Sequence, residues 1–213
     1  MSDDVEKDQL EDLEDDAPAQ NVFIIDTGNK GPKFRAVSLF GALGEEELTD
    51  VVHGLVALQE ACLEENARNE ETEEPPRTIK FYISTWGGDM LGMFAIYDLM
   101  RLVRDECEIE TIGLGKVMSA GVLLLAAGTK GKRQIGKNAR LMFHSVQSGQ
   151  YGPLYSLEKE MEEARWLQER TIQCLIDESK LTKRKIQKML DQKVDFYIGA
   201  EEAVALGIAD III

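Results

Sequence analysis

Short apolar segments rich in β-branched and aromatic residues alternate along the chain with segments whose apolar residues recur at helical spacing. Strand-like segments occupy 22–25, 36–40, 78–84, 109–114, 134–135 and 141–143. Helical spacing is found in 44–58, 90–103, 119–127, 156–175, 182–190 and from residue 201 onward. Alternation of strands and helices is typical of a sheet buried by helices. The pattern therefore predicts an α/β fold, and no internal repeat is evident.

Two acidic stretches interrupt this pattern. The first twenty residues contain nine Asp and Glu residues against Lys7 alone, so we expect a solvated, disordered tail over 1–20. The second stretch, 64–74, precedes Pro75-Pro76 and predicts a long exposed loop. Residues 21–213 are long enough to bury one full core, and we expect a single domain there.

Composition excludes several functional classes. A formal net charge of −15 argues against nucleic-acid and anionic-membrane partners, which require clustered Lys and Arg. No apolar run approaches the roughly 20 residues that cross a bilayer, and an acidic N-terminus is unlike a secretory or transit peptide. The three cysteines are far apart in apolar surroundings, which predicts reduced, buried thiols and no zinc site. We therefore expect a cytoplasmic protein, or one in an equivalent reducing compartment such as the plastid stroma.

Ser119 lies where a strand-like segment meets a segment of small residues with helical spacing. A serine in this position is often only a helix N-cap. Here, however, Ala120 and Gly121 leave the hydroxyl accessible, and the N–H of Ala120 would point into the same space as a donor to a developing oxyanion. Ser119 is therefore a candidate nucleophile, although Val117 departs from the Gly-x-Ser-x-Gly pattern of the α/β-hydrolases.

Gly87 and Gly88 follow the strand 78–84. Two glycines at a strand end can simply form a turn that needs a positive φ. They also permit close approach of a ligand to the backbone, with the N–H of Gly88 as a second oxyanion donor. The sequence is compatible with both interpretations.

The chain offers few candidates for a catalytic base. His53 lies inside an amphipathic helical segment and is predicted to be structural, whereas His144 ends an apolar strand where an imidazole can emerge. Several downstream aspartates could orient that imidazole. Asp195 is favoured because it enters an apolar element, where a carboxylate needs a partner, but spacing leaves the alternatives open: Asp177, Asp191 and Asp210.

Nucleotide-binding motifs are absent from the sequence. There is no Gly-x-x-x-x-Gly-Lys-Ser/Thr loop, and no Gly-x-Gly-x-x-Gly pattern follows a strand. We therefore expect no directly bound cofactor.

Taken together in order and spacing, these segments resemble the proteolytic subunit of the Clp protease family from about Phe34 to Ile213. The segment 81–88 (Phe-Tyr-Ile-Ser-Thr-Trp-Gly-Gly) resembles the family's strand ending in Ser-Pro-Gly-Gly, and 95–98 resembles the helix after it. Residues 115–121 resemble the nucleophile segment, 141–144 the histidine strand, and 195–207 the Asp-containing end with its Ala-Glu-Glu-Ala helix.

The resemblance implies a Clp protease/crotonase-like superhelix of β-β-α units with a protruding handle at about 146–180. It implies Ser119 as nucleophile, His144 as general base and Asp195 as the acid that orients the base. The oxyanion hole would be formed by the N–H groups of Gly88 and Ala120. The expected partners are further copies of the chain, in two stacked heptameric rings, polypeptide substrates, and a separate AAA+ unfoldase that uses the ATP.

Departures from the family pattern indicate a divergent member. Trp86 stands where the family has proline, beside Gly87 in the expected substrate groove, and 145–147 lacks the proline usual after the histidine. Two alternatives stay open. One is a non-catalytic ring subunit that regulates an active paralogue, which the complete Ser-His-Asp set argues against. The other is a crotonase-like acyl-CoA enzyme, whose chemistry has no use for a Ser/His pair.

Overall fold

The computed structural model describes residues 35–69, 78–149, 151–191 and 194–213. Strands and helices alternate through these ranges, which confirms the α/β fold class. Their bounds in chain order are β1 (Ala36–Leu43), α1 (Glu45–Asn69), β2 (Ile79–Gly88), α2 (Met90–Arg104), β3 (Ile109–Met118), α3 (Ala120–Ala126), β4 (Gln134–Ile135), β5 (Arg140–Phe143), α4 (Leu154–Glu178), α5 (Lys183–Leu190), β6 (Phe196–Ile198), α6 (Ala200–Ala205) and β7 (Ile211–Ile212).

The strands form a single sheet in the order β1-β2-β3-β4-β7, and all neighbours on this path are parallel. Beyond the short pairing of β3 with β4, strand β3 also pairs in parallel with β5, and β5 pairs antiparallel with β6. In a parallel sheet the carboxyl ends of neighbouring strands meet at one edge. The ends of β2, β3 and β5 are thereby brought together.

The core lies on one face of the sheet, under α1, α2 and α3. Side chains of β2 alternate between the two faces: Phe81 and Ile83 are fully buried, whereas Lys80 and Trp86 are exposed. Helix α3 is buried along its whole length. Every residue of this helix is apolar, so the element after Ser119 is held firmly against the sheet.

Several predicted boundaries were wrong. The acidic run 64–74 was expected to be a loop, but α1 continues to Asn69, because Glu and Ala favour helix and the strong breakers come only at Pro75-Pro76. Ser156 was expected to cap the long helix, but α4 begins at Leu154 after Pro153, whose φ of −59° already suits a helix start. Strand β2 extends through both glycines, and neither β6 nor β7 was predicted as a strand. The predicted tail 1–20 and strand 22–25 lie outside the described residues.

Helix α4 is largely exposed at its beginning and anchored at its end. Leu154, Tyr155, Met161 and Trp166 are each more than half exposed, while Glu178 at the last turn is 2% exposed. The boundaries of the predicted handle and of the single domain stay predictions.

A buried ion cluster forms the anchor. The Glu178 carboxylate accepts hydrogen bonds from Arg104 at 3.0 and 3.1 Å and from the Tyr97 hydroxyl at 3.2 Å. Burial alone would raise the pKa of the Glu178 carboxyl, but the hydrogen bond and charge of Arg104, the Tyr97 hydroxyl and the charge of Lys130 outweigh burial and lower it. Burial raises the pKa of Tyr97 to about 12, so its hydroxyl stays protonated and donates.

Among the helices that the structure describes, none combines the length and apolar character that a bilayer crossing would demand.

Candidate active site

Ser119 connects β3 to α3 in a strained backbone conformation. Its φ of 51° and ψ of −116° make it the one non-glycine residue with positive φ in the described part of the chain. The backbone is held on both sides: the Ser119 N–H donates to Met142 O at 2.9 Å, and the Ser119 carbonyl accepts from Val122 N–H at 3.0 Å. Such strain persists only where the surroundings impose it, and it is common at reactive positions.

The Ser119 side chain does not cap the helix that it precedes. Within the described ranges its hydroxyl has no hydrogen-bond partner, and the Ala120 N–H has no acceptor. The N-cap interpretation therefore explains the backbone position of Ser119 but not its side chain. A free hydroxyl beside an unused N–H donor is the arrangement that acyl transfer requires.

Gly87 provides the space for Ser119. A Cβ atom added to Gly87 would lie 2.6 Å from Ser119 Cβ and 3.1 Å from Ser119 Oγ. The φ of Gly87 is 88°, and its N–H donates to Thr85 Oγ1 at 3.0 Å. The strand pairing between β1 and β2 shifts register at this point, between Gly41 and Ala42. Gly87 thus serves both as a conformational necessity and as a contact surface for the nucleophile segment.

His144 and Asp195 are brought together by strand pairing. Strand β5 ends one residue before His144, and β6 begins one residue after Asp195. The antiparallel register pairs Phe143 with Phe196. Continued by one residue, the same register sets His144 opposite Asp195, although 51 positions separate them in the sequence.

No hydrogen bond joins the three side chains within the described residues. Instead, the Nδ1 atom of His144 lies 2.6 Å from the carbonyl oxygen of Ser145, and Asp195 is exposed. The imidazole is therefore turned toward its own backbone. The catalytic roles of Ser119, His144 and Asp195 stay predictions, as does the preference for Asp195 over the other aspartates. Asp210, one of those alternatives, instead pairs with Arg133 at 2.6 Å.

Ser119 and His144 open onto one cavity of about 440 Å³, which Trp86, Gly87, Gly88 and Ala120 also line. Asp195 is not part of its wall. Of the seven site residues that the family resemblance implies, all but Asp195 thus lie around a common space. That space is large enough for several side chains of a bound peptide.

Several cavity residues were not found from the sequence. Gln168, Ile172 and Leu175 of α4 and Ile186 of α5 line the wall, and Gln168 Oε1 accepts from the Val146 N–H at 3.2 Å. Helical spacing over 156–175 predicts an apolar stripe on this helix, but periodicity does not say which surface a helix covers. The wall opposite the nucleophile is mainly apolar, so it suits an apolar substrate side chain.

A cation contacts one of the residues that line this cavity, although Lys116 itself is not part of the wall. The Nζ atom of Lys116 is 4.6 Å from the centroid of the Trp86 ring, which is 63% exposed. This cation–π contact holds the ammonium of Lys116 next to a residue of the cavity wall.

Comparison with known proteins agrees with this geometry. The profile of the Clp protease family matches residues 33–213. The ATP-dependent Clp protease proteolytic subunit 2 of Chlamydia trachomatis serovar D is 34% identical over 143 residues, which are 67% of this chain and 68% of the relative. The Chlamydia pneumoniae protein of the same name is 34% identical over 140 residues, 65% of this chain and 66% of the relative. A fold, a cavity and a sequence match that agree over the same residues show that this chain belongs to the Clp protease family, as a proteolytic subunit of the serine-peptidase type.

Proposed function

We propose that the chain hydrolyses peptide bonds with Ser119 as nucleophile, His144 as general base and Asp195 as the carboxylate that orients the imidazole. The observation that carries the proposal is the strained Ser119, whose hydroxyl opens onto the cavity that His144 also lines. The strand register that sets His144 opposite Asp195 supports the third role.

The reaction proceeds in two steps, acylation of Ser119 and hydrolysis of the acyl-enzyme. His144 accepts the Ser119 proton as Oγ attacks the scissile carbonyl, and the N–H groups of Gly88 and Ala120 donate to the resulting oxyanion. The tetrahedral adduct collapses as His144 returns the proton to the leaving amine. Water then attacks the acyl-enzyme by the same route, releasing the acid and restoring the Ser119 hydroxyl.

The imidazole must turn before this can happen. In the described conformation Nδ1 faces Ser145 O, so a productive arrangement needs rotation of the His144 side chain toward Asp195 and Ser119. Catalytic hydrogen bonds are often long or misaligned in a protein without substrate and tighten on binding. The same contact is the one observation that favours the alternative of a non-catalytic subunit regulating an active paralogue.

We further propose assembly into stacked heptameric rings that receive unfolded polypeptides from a separate AAA+ unfoldase, in the cytoplasm or an equivalent compartment. The exposed apolar residues of α4 support a contact between copies, because a row of large apolar side chains on a helix is unfavourable in water. The relatives' names describe an ATP-dependent protease. Folded substrates would then be degraded only with ATP and the unfoldase, whereas short peptides would need neither.

Labelling with a fluorophosphonate probe tests the catalytic proposal. We expect the wild-type protein to be labelled at Ser119, as mapped by peptide mass spectrometry, and Ser119→Ala to lose labelling and peptide hydrolysis together. Ser84→Ala is the matched control, since Ser84 lies on β2 outside the cavity wall. Absence of labelling in an assembled, folded sample would favour the regulatory alternative, and labelling at another serine would refute the assignment.

A further inference from the structure

We propose that Lys116 is a specificity-determining residue that favours polypeptides with an acidic side chain near the scissile bond. The inference rests on the proposed peptidase function and names the substrate class that this site selects. It is carried by a charge that rests on a cavity-lining ring and forms no ion pair with any acidic residue in the described ranges.

Lys116 is positioned rather than freely mobile. It lies on β3 three residues before Ser119, and its ammonium is 4.6 Å from the centroid of the Trp86 ring. Trp86 lines the cavity, so the contact places the charge beside the cavity wall without making Lys116 a part of it. Because only one side of an ammonium faces a ring, the remaining N–H donors of Lys116 can point outward to a ligand.

A second cation lies beside the first. Register pairs Lys116 with Arg140 on neighbouring strands, so the two side chains leave the same face of the sheet at adjacent positions. Within the described ranges, neither forms an ion pair or a hydrogen bond. Like charges side by side repel each other, and a bound carboxylate would relieve that repulsion.

At the other end of the same face of the sheet, a lysine does have an acidic partner. Lys80 on β2 lies 4.0 Å from the carboxylate of Glu110. The chain carries 39 acidic residues against 24 basic ones, so a basic residue without an acidic partner is not explained by a shortage of acids. The pair formed by Lys116 and Arg140 is therefore suited to an anion supplied from outside.

Strand geometry places the acidic residue relative to the bond that is cut. Three residues along a strand span roughly 10 Å, and an extended peptide has the same rise per residue. A carboxylate that reaches Lys116 while the scissile carbonyl lies at Ser119 is thus two to four residues from the scissile bond. The predicted substrates are polypeptides with Glu or Asp at one of those positions.

Matched peptides measure this preference. Internally quenched peptides would differ only by Glu or Gln at two, three or four residues on either side of the scissile bond, and the readout is the Glu/Gln ratio of kcat/KM. We expect a ratio of about three to ten at one position in the wild type, decreasing as salt screens the pair. The ratio should fall to about one in Lys116→Gln and be retained in Lys116→Arg. Lys80→Gln is the control, since it removes the same charge from the far end of the face.

Two results would overturn the inference. One is a wild-type ratio near one at every position, and the other is an unchanged ratio in Lys116→Gln. If Gln peptides are cleaved normally with either result, only the specificity fails and the peptidase proposal stands.

A binding readout covers the case in which no peptide is cleaved. The Glu/Gln ratio of Kd, measured by fluorescence anisotropy on Ser119→Ala, should show the same preference and the same dependence on Lys116. A ratio of one there would also overturn the inference, independently of catalysis.

Discussion

Replacing Gly87 by alanine tests whether the space beneath Ser119 holds the nucleophile in place. The added Cβ would lie 2.6 Å from Ser119 Cβ, which is closer than two carbon atoms that are not bonded to each other can approach. One of the two segments must move by about 1 Å to reach ordinary contact. Because α3 is fully buried, the displacement falls on Ser119 rather than on the helix behind it.

A matched control separates the contact from the backbone conformation. Gly41 on the neighbouring strand has a φ of 86°, close to the 88° of Gly87, but no atom of the residues that the structure describes lies within 4 Å of its added Cβ. Alanine at either position carries the same penalty for positive φ, about 1–2 kcal/mol. Gly87→Ala carries overpacking in addition, about 1–3 kcal/mol. We therefore expect it to lower the free energy of unfolding by about 2–5 kcal/mol, against about 1–2 kcal/mol for Gly41→Ala.

Activity should separate the two variants more sharply than stability does. A displacement of about 1 Å at a reacting atom typically costs on the order of 10²-fold in rate. The assay is the second-order rate constant of fluorophosphonate labelling at Ser119, measured below the onset of unfolding as determined by urea titration. Equal labelling rates for Gly87→Ala and Gly41→Ala would refute the reasoning, because the contact with Ser119 would then have no consequence.

Three further predictions concern the carboxylates and the thiols. Asp195→Asn should lower the labelling rate by about 10⁴-fold, because the imidazole loses its orienting charge. The exposed Asp191→Asn should leave the labelling rate unchanged, and equal rates for the two variants would exclude the role of Asp195. Glu178→Gln should lower the free energy of unfolding by about 3 kcal/mol at pH 7, unlike the exposed Glu163→Gln. Since folding lowers the pKa of Glu178, its ionised carboxylate stabilises the folded state fully above pH 4.5, and this stabilisation is lost as the pH falls through the folded pKa. If the difference in unfolding free energy between wild type and Glu178→Gln, measured in urea, does not shrink on acidification, this reasoning is wrong. Burial, and secondarily the hydrogen bond with Cys62, raises the pKa of Cys107 to about 12. The three buried thiols should therefore react slowly with Ellman's reagent in the native protein at pH 8 and completely in urea. Fast reaction of the native protein would contradict the burial.

Hydrophobic periodicity predicted the type of the longer elements, though not the short strands β6 and β7, because burial imposes a period of two on strands and 3.6 on helices. The positions of β2, β3 and β5 followed from this local pattern, and so did α2, predicted over 90–103 and observed as Met90–Arg104. The ends of elements followed less well. The end of α1 was misplaced because the acidic character of 64–74 was taken as a loop signal although Glu and Ala favour helix, and the start of α4 because Pro153 already suits a helix start before Ser156.

Local sequence also indicated the chemistry of the candidate site, since a serine, a histidine and an aspartate each stood at the boundary of an apolar element. It contained no information on their separation in space. The antiparallel register of β5 and β6 sets His144 opposite Asp195, and the parallel pairing of β3 with β5 brings Ser119 to Met142. These are contacts between residues far apart in sequence, and their partners are chosen by the packing of the whole sheet.

Residue type alone therefore determined which groups could react, because nucleophilicity and basicity belong to the side chain. Only the tertiary structure decided the strained backbone of Ser119, the apolar wall from α4 and α5, and the orientation of His144 toward Ser145. It likewise decided that Lys116 rests on Trp86 from a different strand. Each of these depends on the shape of a surface assembled from several elements, and no single segment of sequence contains that shape.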